Sequence, residues 1–152
     1  MTNNIANTKP VAIVTGGGTG LGLATGIELC HRGYRVVAVG LDTEPELTGT
    51  EIEFQQLDVT DSAAMTALAE REPNVNVLIN AAGIILHEGR EHTEPGFRKV
   101  VDVNLNGTYL SCDAFRSALE HSSGSIVNFA SMWSYFGSPR NPAYSASKGA
   151  VM

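Results

Sequence analysis

The stretch Val11–Gly22, VAIVTGGGTGLG, decides the fold of this 152-residue chain. A short apolar run, Val11–Val14, predicts a buried strand, and glycines follow it almost at once. Periodic apolar positions then continue from about Gly20 to Arg32, which predicts a helix. Glycines between a strand and a helix let the backbone turn sharply and approach a pyrophosphate, which the N–H groups and positive end of the helix attract. The stretch therefore predicts a dinucleotide-binding turn, and a plain strand-to-helix turn is the alternative.

The spacing of the glycines limits which nucleotide-binding motifs the turn can match. Gly16, Gly20 and Gly22 are more widely spaced than the glycines of the common G-x-G-x-x-G motif. A lysine and a hydroxyl residue do not follow the last glycine, which excludes a P-loop. The residues of the turn that we expect to contact the cofactor are Gly16, Gly18, Thr19, Gly20, Leu21 and Gly22.

Apolar strands and helical stretches alternate along the rest of the chain. Further strands are predicted at 35–39, 52–57, 75–79 and 125–130, and further helices at 61–71, within 94–119 and from near 143. Either Thr60 or Asp61 is expected to cap the helix at 61–71. Continuous apolar strands that alternate with helices imply a parallel sheet covered on both faces. The fold class is therefore α/β, with residues 1–9 as a flexible tail and 10–152 as the folded domain.

Composition excludes several classes of function. The formal net charge is −6 and no Lys/Arg cluster is present, which argues against nucleic acid as a partner. No apolar run approaches the roughly 20 residues of a membrane span, and the first ten residues lack the blocks of a signal peptide, so we expect a cytoplasmic protein. Cys30 and Cys112 have no metal-ligand spacing around them. We expect two reduced packing residues and no metal site.

Polar and small residues follow the ends of the third and fourth predicted strands, at the edge where such sheets bind ligands. Asp58 is a candidate acceptor for an adenine amino group, and a helix cap is the alternative. Asn80, Ala81, Ala82 and Gly83 form the motif NAAG. Its small residues allow a cofactor to pass close to the backbone, and its Asn can tie neighbouring strands together.

Tyr144 and Lys148 suggest a proton donor beside the cofactor. A phenol with its ordinary pKa of about 10 exchanges protons poorly at neutral pH, so a catalytic Tyr needs its anion stabilised. Residues four apart share one face of a helix, so the Lys148 ammonium can lie near the phenol and also reach the ribose hydroxyls. Ser131 follows a strand and can hydrogen-bond a substrate oxygen. Asn104 can hold a water that links Lys148 to solvent, with local backbone capping as the alternative.

Taken together and in this order, the motifs resemble the short-chain dehydrogenase/reductase family from residue 10 onward. The resemblance implies a Rossmann-type doubly wound sheet and reversible oxidation of an alcohol or reduction of a ketone with NAD or NADP. It also implies a homodimer or homotetramer for the full-length form. The matching residues are the glycine turn, Asp58-Val59 as the adenine contact, Asn80 to Gly83, and the catalytic set Asn104, Ser131, Tyr144 and Lys148.

Two departures from the family pattern matter. Family members that prefer NAD usually carry an acidic residue at the end of the second strand, where this chain has Gly40, followed by Leu41 and Asp42. Asp42 can meet the ribose 2′-hydroxyl and repel a 2′-phosphate, and neither Leu41 nor the turn offers a cation, so NAD is favoured over NADP.

The second departure is length. The family continues beyond the position of Met152 with further strands and a loop that closes over substrate, so we expect a chain truncated before the final strands of the sheet. The predicted function is hydride transfer between a nicotinamide cofactor and an alcohol or carbonyl, with Tyr144 as general acid/base. The alternatives are a non-catalytic nucleotide-binding module and an inactive fragment of a longer dehydrogenase.

Overall fold

A parallel five-stranded sheet forms the centre of the molecule. The computed structural model describes residues 9–152, so residues 1–8 of the predicted tail lie outside the described residues. The strand order is β3-β2-β1-β4-β5, and every neighbouring pair is parallel. The strands are β1 Val11–Thr15, β2 Arg35–Gly40, β3 Glu53–Gln56, β4 Val77–Asn80 and β5 Ser125–Asn128. The predicted Rossmann-type parallel sheet is confirmed.

Five α-helices accompany the strands in the described part of the chain. They are α1 Gly20–His31, α2 Ser62–Arg71, α3 Glu94–Val101, α4 Gly107–Ser122 and α5 Pro142–Val151. A π-helical turn, Asp102–Asn106, joins α3 to α4, so the predicted stretch 94–119 is two helices without a loop between them. Asp61 is the cap of α2, because its Oδ1 accepts the N–H of Ala64 at 3.0 Å. None of the helices within 9–152 is long and apolar enough to cross a membrane.

Both faces of the three central strands, β2, β1 and β4, are buried, as continuous apolar strands predict. On one face Ile13 packs with Leu78, Phe115 and Leu68, which brings α2 and α4 onto the sheet. On the other face Ala12 and Val14 belong to a second cluster with residues of α1. Alternate residues of β1 therefore pack into the hydrophobic clusters on opposite faces of the sheet.

The start of helix α1 packs closely against the glycine turn, and a glycine in the helix makes this possible. A Cβ atom on Gly22 would lie 2.1 Å from the carbonyl oxygen of Gly16. The buried positions of α1 are consequently Gly22, Leu23 and Gly26, whereas Leu21, one of the residues expected to contact the cofactor, is 73% exposed. This contact holds the N-terminus of α1 at the carboxyl ends of β1 and β4.

Strand β5 lies at the edge of the sheet. Its four residues are exposed, among them Ile126 and Val127, which are 45% and 44% exposed. Its parallel partner is β4, from Val77↔Ser125 to Asn80↔Asn128. The other side of β5 carries no strand in the described residues.

We expect Gly22→Ala to destabilise the chain by about 1 to 3 kcal/mol, the usual cost of overpacking a close contact. Helix propensity alone predicts the opposite sign, because Ala is favoured over Gly by about 1 kcal/mol inside a helix. Urea denaturation measures the difference. Gly137→Ala is the matched control, since a Cβ at Gly137 has no atom within 4 Å. A Gly22→Ala chain as stable as wild type would contradict the close approach of α1.

Candidate active site

Four segments of the chain meet at one cleft at the carboxyl ends of β1, β4 and β5. They are the glycine turn after β1, the turn after β4, the end of β5 and the face of α5. The cleft has a volume of about 310 Å³. Its lining residues are Gly16, Thr19, Gly20, Leu21, Gly22, Ala81, Gly83, Ile84, Ile85, Phe129, Ala130, Tyr144 and Lys148.

The glycine turn is shaped by close backbone contacts. Gly16 has a φ of +66°, and a Cβ there would lie 2.7 Å from the Ala82 backbone. A Cβ on Gly18 would lie 2.1 Å from the carbonyl oxygen of Asp42. Thr19 is the N-cap of α1 but makes no side-chain cap hydrogen bond. The N-terminal end of α1 therefore borders the cleft without a cap from its own N-cap residue, and the N–H groups of Leu21 and Gly22 are available to an anionic group.

A carboxylate that sequence reasoning missed lies at the glycine turn. Glu44 Oε2 accepts the N–H of Gly20 at 3.0 Å, and the Glu44 N–H donates to the Gly18 carbonyl at 2.8 Å. Asp42, the predicted ribose contact, is exposed and contributes its backbone to the contact with Gly18. The only signal for Glu44 in the sequence is its position shortly after β2, which it shares with Asp42 and Glu46.

The predicted adenine contact does not line the cleft. Asp58 is exposed, and its Oδ1 accepts the N–H of Thr60 at 2.9 Å and the Thr60 hydroxyl at 2.8 Å. It closes a turn before α2 and is not the cap of that helix, which is Asp61. Val59 is 4% exposed and packs against Gly107. A Cβ atom on Gly107 would lie only 2.6 Å from the Val59 side chain.

Asn80 ties two strands together next to the cleft, one residue before the lining residue Ala81. Its Nδ2 donates to Asn128 Oδ1 at 2.8 Å, which links β4 to β5, and lies 3.2 Å from the sulfur of Cys112. Burial raises the pKa of the Cys112 thiol, which suits a packing residue. Cys112 and Cys30 are both free thiols, as the sequence predicts.

Asn104 clamps the turn after β4 to α5. It is fully buried in the π-helical turn, and its Oδ1 accepts the N–H of Ile84 at 2.7 Å. Its Nδ2 donates to the Ile84 carbonyl at 3.0 Å and to Ser147 Oγ at 3.1 Å. Because both N–H groups are donated to protein atoms, the side chain holds the wall of the cleft in place.

Ser131 follows the end of β5 by three residues, and its hydroxyl donates no hydrogen bond to another of residues 9–152. It is the N-cap of a single 3-10 turn, Met132–Ser134, and its Oγ accepts the N–H of Trp133 at 3.2 Å. Its own N–H donates to Ser134 Oγ at 3.1 Å, and that hydroxyl donates to the Lys148 carbonyl at 2.8 Å. The Ser131 turn is therefore fastened to α5. The aromatic residues beyond it do not pack inward, since Tyr135 and Phe136 are 74% and 66% exposed.

Tyr144 and Lys148 share one face of α5, as their spacing predicts. The Lys148 Nζ lies 5.9 Å from the centre of the Tyr144 ring and donates to the Phe129 carbonyl at 2.6 Å. Lys148 is only 5% exposed, and burial lowers its pKa. No ion pair within residues 9–152 involves it. A buried ammonium beside a phenol in a cleft is an arrangement suited to proton transfer.

The family model described as short chain dehydrogenase matches residues 10–152. The chain belongs to the short-chain dehydrogenase family. It is similar to the uncharacterized oxidoreductase YgcW of Escherichia coli, with 35% identity over 92% of this chain and 59% of the relative. It is also similar to the 3-hydroxyacyl-CoA dehydrogenase type-2 of Bos taurus, with 33% identity over 93% of this chain and 63% of the relative.

Solved structures agree with the family assignment. A crystal structure of levodione reductase superposes with a TM-score of 0.82 at 30% identity, covering 95% of this chain and 62% of that chain. A short chain dehydrogenase/reductase family protein superposes with a TM-score of 0.84, also at 30% identity, covering 95% and 64%. This short-chain dehydrogenase chain therefore spans less than two thirds of the length of these relatives.

We expect Lys148→Met to flatten the pH dependence of stability in this short-chain dehydrogenase chain. The folded state lowers the pKa of Lys148 from the usual 10.5, so the unfolded chain binds more protons between the two values. The free energy of unfolding contributed by Lys148 therefore rises with pH across that window. Relative to wild type, the Met variant gains most stability below the window and loses this advantage as the pH approaches the usual lysine value.

Urea denaturation at several pH values between neutral and alkaline measures this effect. Lys99→Met is the control, because Lys99 is exposed on α3. A stability difference between Lys148→Met and wild type that does not change with pH would show that the ammonium is not held in the interior.

Proposed function

We propose that this chain is an NAD(P)-dependent oxidoreductase that interconverts a small-molecule alcohol and its ketone, with Tyr144 as general acid/base. The observation that carries the proposal is the buried Lys148 ammonium, 5.9 Å from the Tyr144 ring, in the same cleft as the glycine turn. Membership of the short-chain dehydrogenase family supports it. The names of the relatives do not agree on one substrate, so the proposal stops at the alcohol and ketone class.

The residues of the cleft fit a dinucleotide. The backbone of the glycine turn passes so close to Ala82 that a side chain at Gly16 is excluded, and Gly20, Leu21 and Gly22 of the first turn of α1 line the cleft. The residues proposed to hold the cofactor are Gly16, Thr19, Gly20, Leu21, Gly22, Ala81 and Gly83, with Lys148 toward the ribose hydroxyls. A nicotinamide dinucleotide, when bound, supplies or accepts the hydride. Gly18, Asn80 and Ala82 are next to these lining residues in the sequence and are proposed to hold their backbone in place.

Proton transfer is assigned to the side chains around α5. The Lys148 ammonium stabilises the Tyr144 phenolate by charge, so the phenolate can take the hydroxyl proton of an alcohol and the phenol can return it to a ketone oxygen. A hydrogen bond to the Phe129 carbonyl holds the Lys148 ammonium near the Tyr144 ring. Ser131 is proposed to donate its free hydroxyl proton to the same substrate oxygen.

The charge at the glycine turn supports NAD as the preferred cofactor. The Glu44 carboxylate contacts Gly20, and the backbone of a second acidic residue, Asp42, lies next to Gly18. A 2′-phosphate placed there meets like charge without an Arg or Lys in the turn to hold it. The corresponding proposal for assembly is a homodimer or homotetramer of the full-length form, inferred from the family alone.

We expect Tyr144→Phe to reduce turnover by at least about 100-fold, the usual contribution of a positioned general acid/base. NADH binding, measured by fluorescence titration, is expected to be unchanged because the phenol oxygen is the only group removed. Turnover is measured with NADH and a panel of ketones, and with NAD⁺ and the matching secondary alcohols. Tyr109→Phe is the control, since Tyr109 is 64% exposed on α4.

Full activity of the Tyr144→Phe chain would overturn the assignment. A wild-type chain that binds NADH tightly but turns over no member of the panel would instead favour a nucleotide-binding module. A chain that neither binds NADH nor unfolds cooperatively would identify an inactive fragment.

We expect Glu44→Gln to raise the affinity for NADP⁺ relative to NAD⁺. Each removed like-charge contact of about 1 kcal/mol corresponds to roughly a fivefold change in the ratio of dissociation constants. Titration of the chain with both dinucleotides measures the ratio. Glu46→Gln is the control, because Glu46 is exposed in the same loop. An unchanged ratio in Glu44→Gln would show that this carboxylate does not face the ribose.

A further inference from the structure

Glu91 is a buried carboxylate that the proposed proton transfer does not use. It is 1% exposed, in a short 3-10 turn, Arg90–His92, ahead of α3. We propose that Glu91 is a positioning residue, whose carboxylate caps the catalytic helix α5 and fixes Tyr144 against the turn that lines the cleft. This proposal rests on the proposed function for its catalytic consequence, but its geometry is independent of it.

Three N–H groups converge on the Glu91 carboxylate. Its Oε2 accepts the backbone N–H of Tyr144 at 2.9 Å. Its Oε1 accepts the backbone N–H of Leu86 at 2.9 Å and the Asn141 Nδ2 at 3.3 Å. One side chain therefore joins the first turn of α5 to the loop after β4, which Ile84 and Ile85 continue into the cleft.

The first turn of α5 lacks the usual local cap. Helix N–H groups in the first turn have no partner within the helix, and a side chain at the N-cap normally accepts one of them. Asn141 is the N-cap of α5 but its side chain accepts no cap bond; its Nδ2 donates to Glu91 and, at 3.0 Å, to the Leu86 carbonyl. Glu91, 53 residues before Tyr144, supplies the missing acceptor.

Burying the Glu91 carboxylate costs desolvation free energy, which hydrogen bonds to its oxygens must offset. No ion pair within residues 9–152 includes Glu91, so its charge is stabilised by N–H donors and by the positive end of α5. Charge-assisted hydrogen bonds are stronger than neutral ones and hold their partners in narrow geometry. A neutral Gln side chain has only one acceptor oxygen and cannot accept all three of these hydrogen bonds.

The catalytic consequence follows from the identity of the capped residue. The N–H that Glu91 accepts belongs to Tyr144 itself, so the bond fixes the backbone from which the phenol projects. Small displacements of a catalytic group from its productive geometry slow the chemical step more than they weaken ligand binding. Loss of the bond is therefore expected to lower kcat while leaving the affinity for NADH unchanged.

The bond can be detected directly in the wild-type chain. Isotope-labelled protein is examined by NMR for a scalar coupling across the hydrogen bond between the Tyr144 amide nitrogen and the Glu91 carboxylate carbon. The coupling is expected, together with slow hydrogen exchange of the Tyr144 amide. Absence of the coupling with fast exchange of that amide would overturn the proposal without any variant being made.

Glu91→Gln tests the role in catalysis. A Gln oxygen can serve only one side of the cluster, and its NH₂ group faces an N–H donor on the other side. We expect exchange of the Tyr144 amide to accelerate by at least about tenfold, since one hydrogen bond to a charged group contributes about 1.5 kcal/mol or more. The kcat measured with NADH and a ketone of the panel is expected to fall about tenfold at unchanged KM for NADH, with a larger primary isotope effect from deuterated NADH.

Glu88→Gln is the matched control, because Glu88 is exposed three residues earlier in the same loop. Faster exchange in Glu91→Gln with unchanged kcat and isotope effect would overturn positioning and reduce Glu91 to a structural cap. A wild-type chain that shows the coupling but does not bind NADH would contradict both the proposed function and the catalytic role of Glu91. A wild-type chain that turns over the ketone without the coupling would overturn the Glu91 proposal alone.

Discussion

The buried ammonium of Lys148 is the constraint around which the rest of the site is arranged. Its hydrogen-bond partner is the Phe129 carbonyl, and it has no acidic partner among residues 9–152. Such a charge persists in the interior only where the surrounding backbone holds it in one place. The end of β5 and the first two turns of α5 must therefore keep their relative position. The Tyr144 phenol gains a fixed neighbouring charge from that arrangement.

Polar side chains from three other segments hold α5 against the sheet. Asn104 joins it to Ile84 from the π-helical turn, Ser134 bonds the Lys148 carbonyl from the turn after β5, and Glu91 bonds the Tyr144 N–H from the loop before α3. Each bond is buried or half-buried, and each links residues far apart in sequence. The geometry of the proposed active site is therefore a property of the whole carboxyl edge of the sheet.

Much of the fold follows from local pattern. The five strands alternate with helices, and β1 and β4 are apolar enough to bury both faces, so these two strands were predictable to within about two residues. Asp61 was one of two predicted caps of α2, and the structure selects it. The shared face of Tyr144 and Lys148 follows from helical spacing alone. Apolar periodicity did not reveal which face of α1 is buried, because the contact between Gly22 and the Gly16 carbonyl decides it.

The residues that sequence reasoning missed act across long separations. Glu44 and Glu91 lie in loops without periodicity, among other acidic residues, and their partners are Gly20 and Tyr144. Nothing in the local pattern separates Glu44 from Asp42 or Glu91 from Glu88. Three-dimensional contact gives one carboxylate of each pair, Glu44 or Glu91, a hydrogen-bond partner at the site.

A crystal structure of the chain with NAD⁺ would test the proposed site most directly. The pyrophosphate is expected against the N–H groups at the start of α1, with the nicotinamide ring beside Tyr144 and the ribose hydroxyls within reach of the Lys148 ammonium. A dinucleotide bound with its nicotinamide away from Tyr144, or bound at another surface, would contradict the assignment of this cleft as the catalytic site.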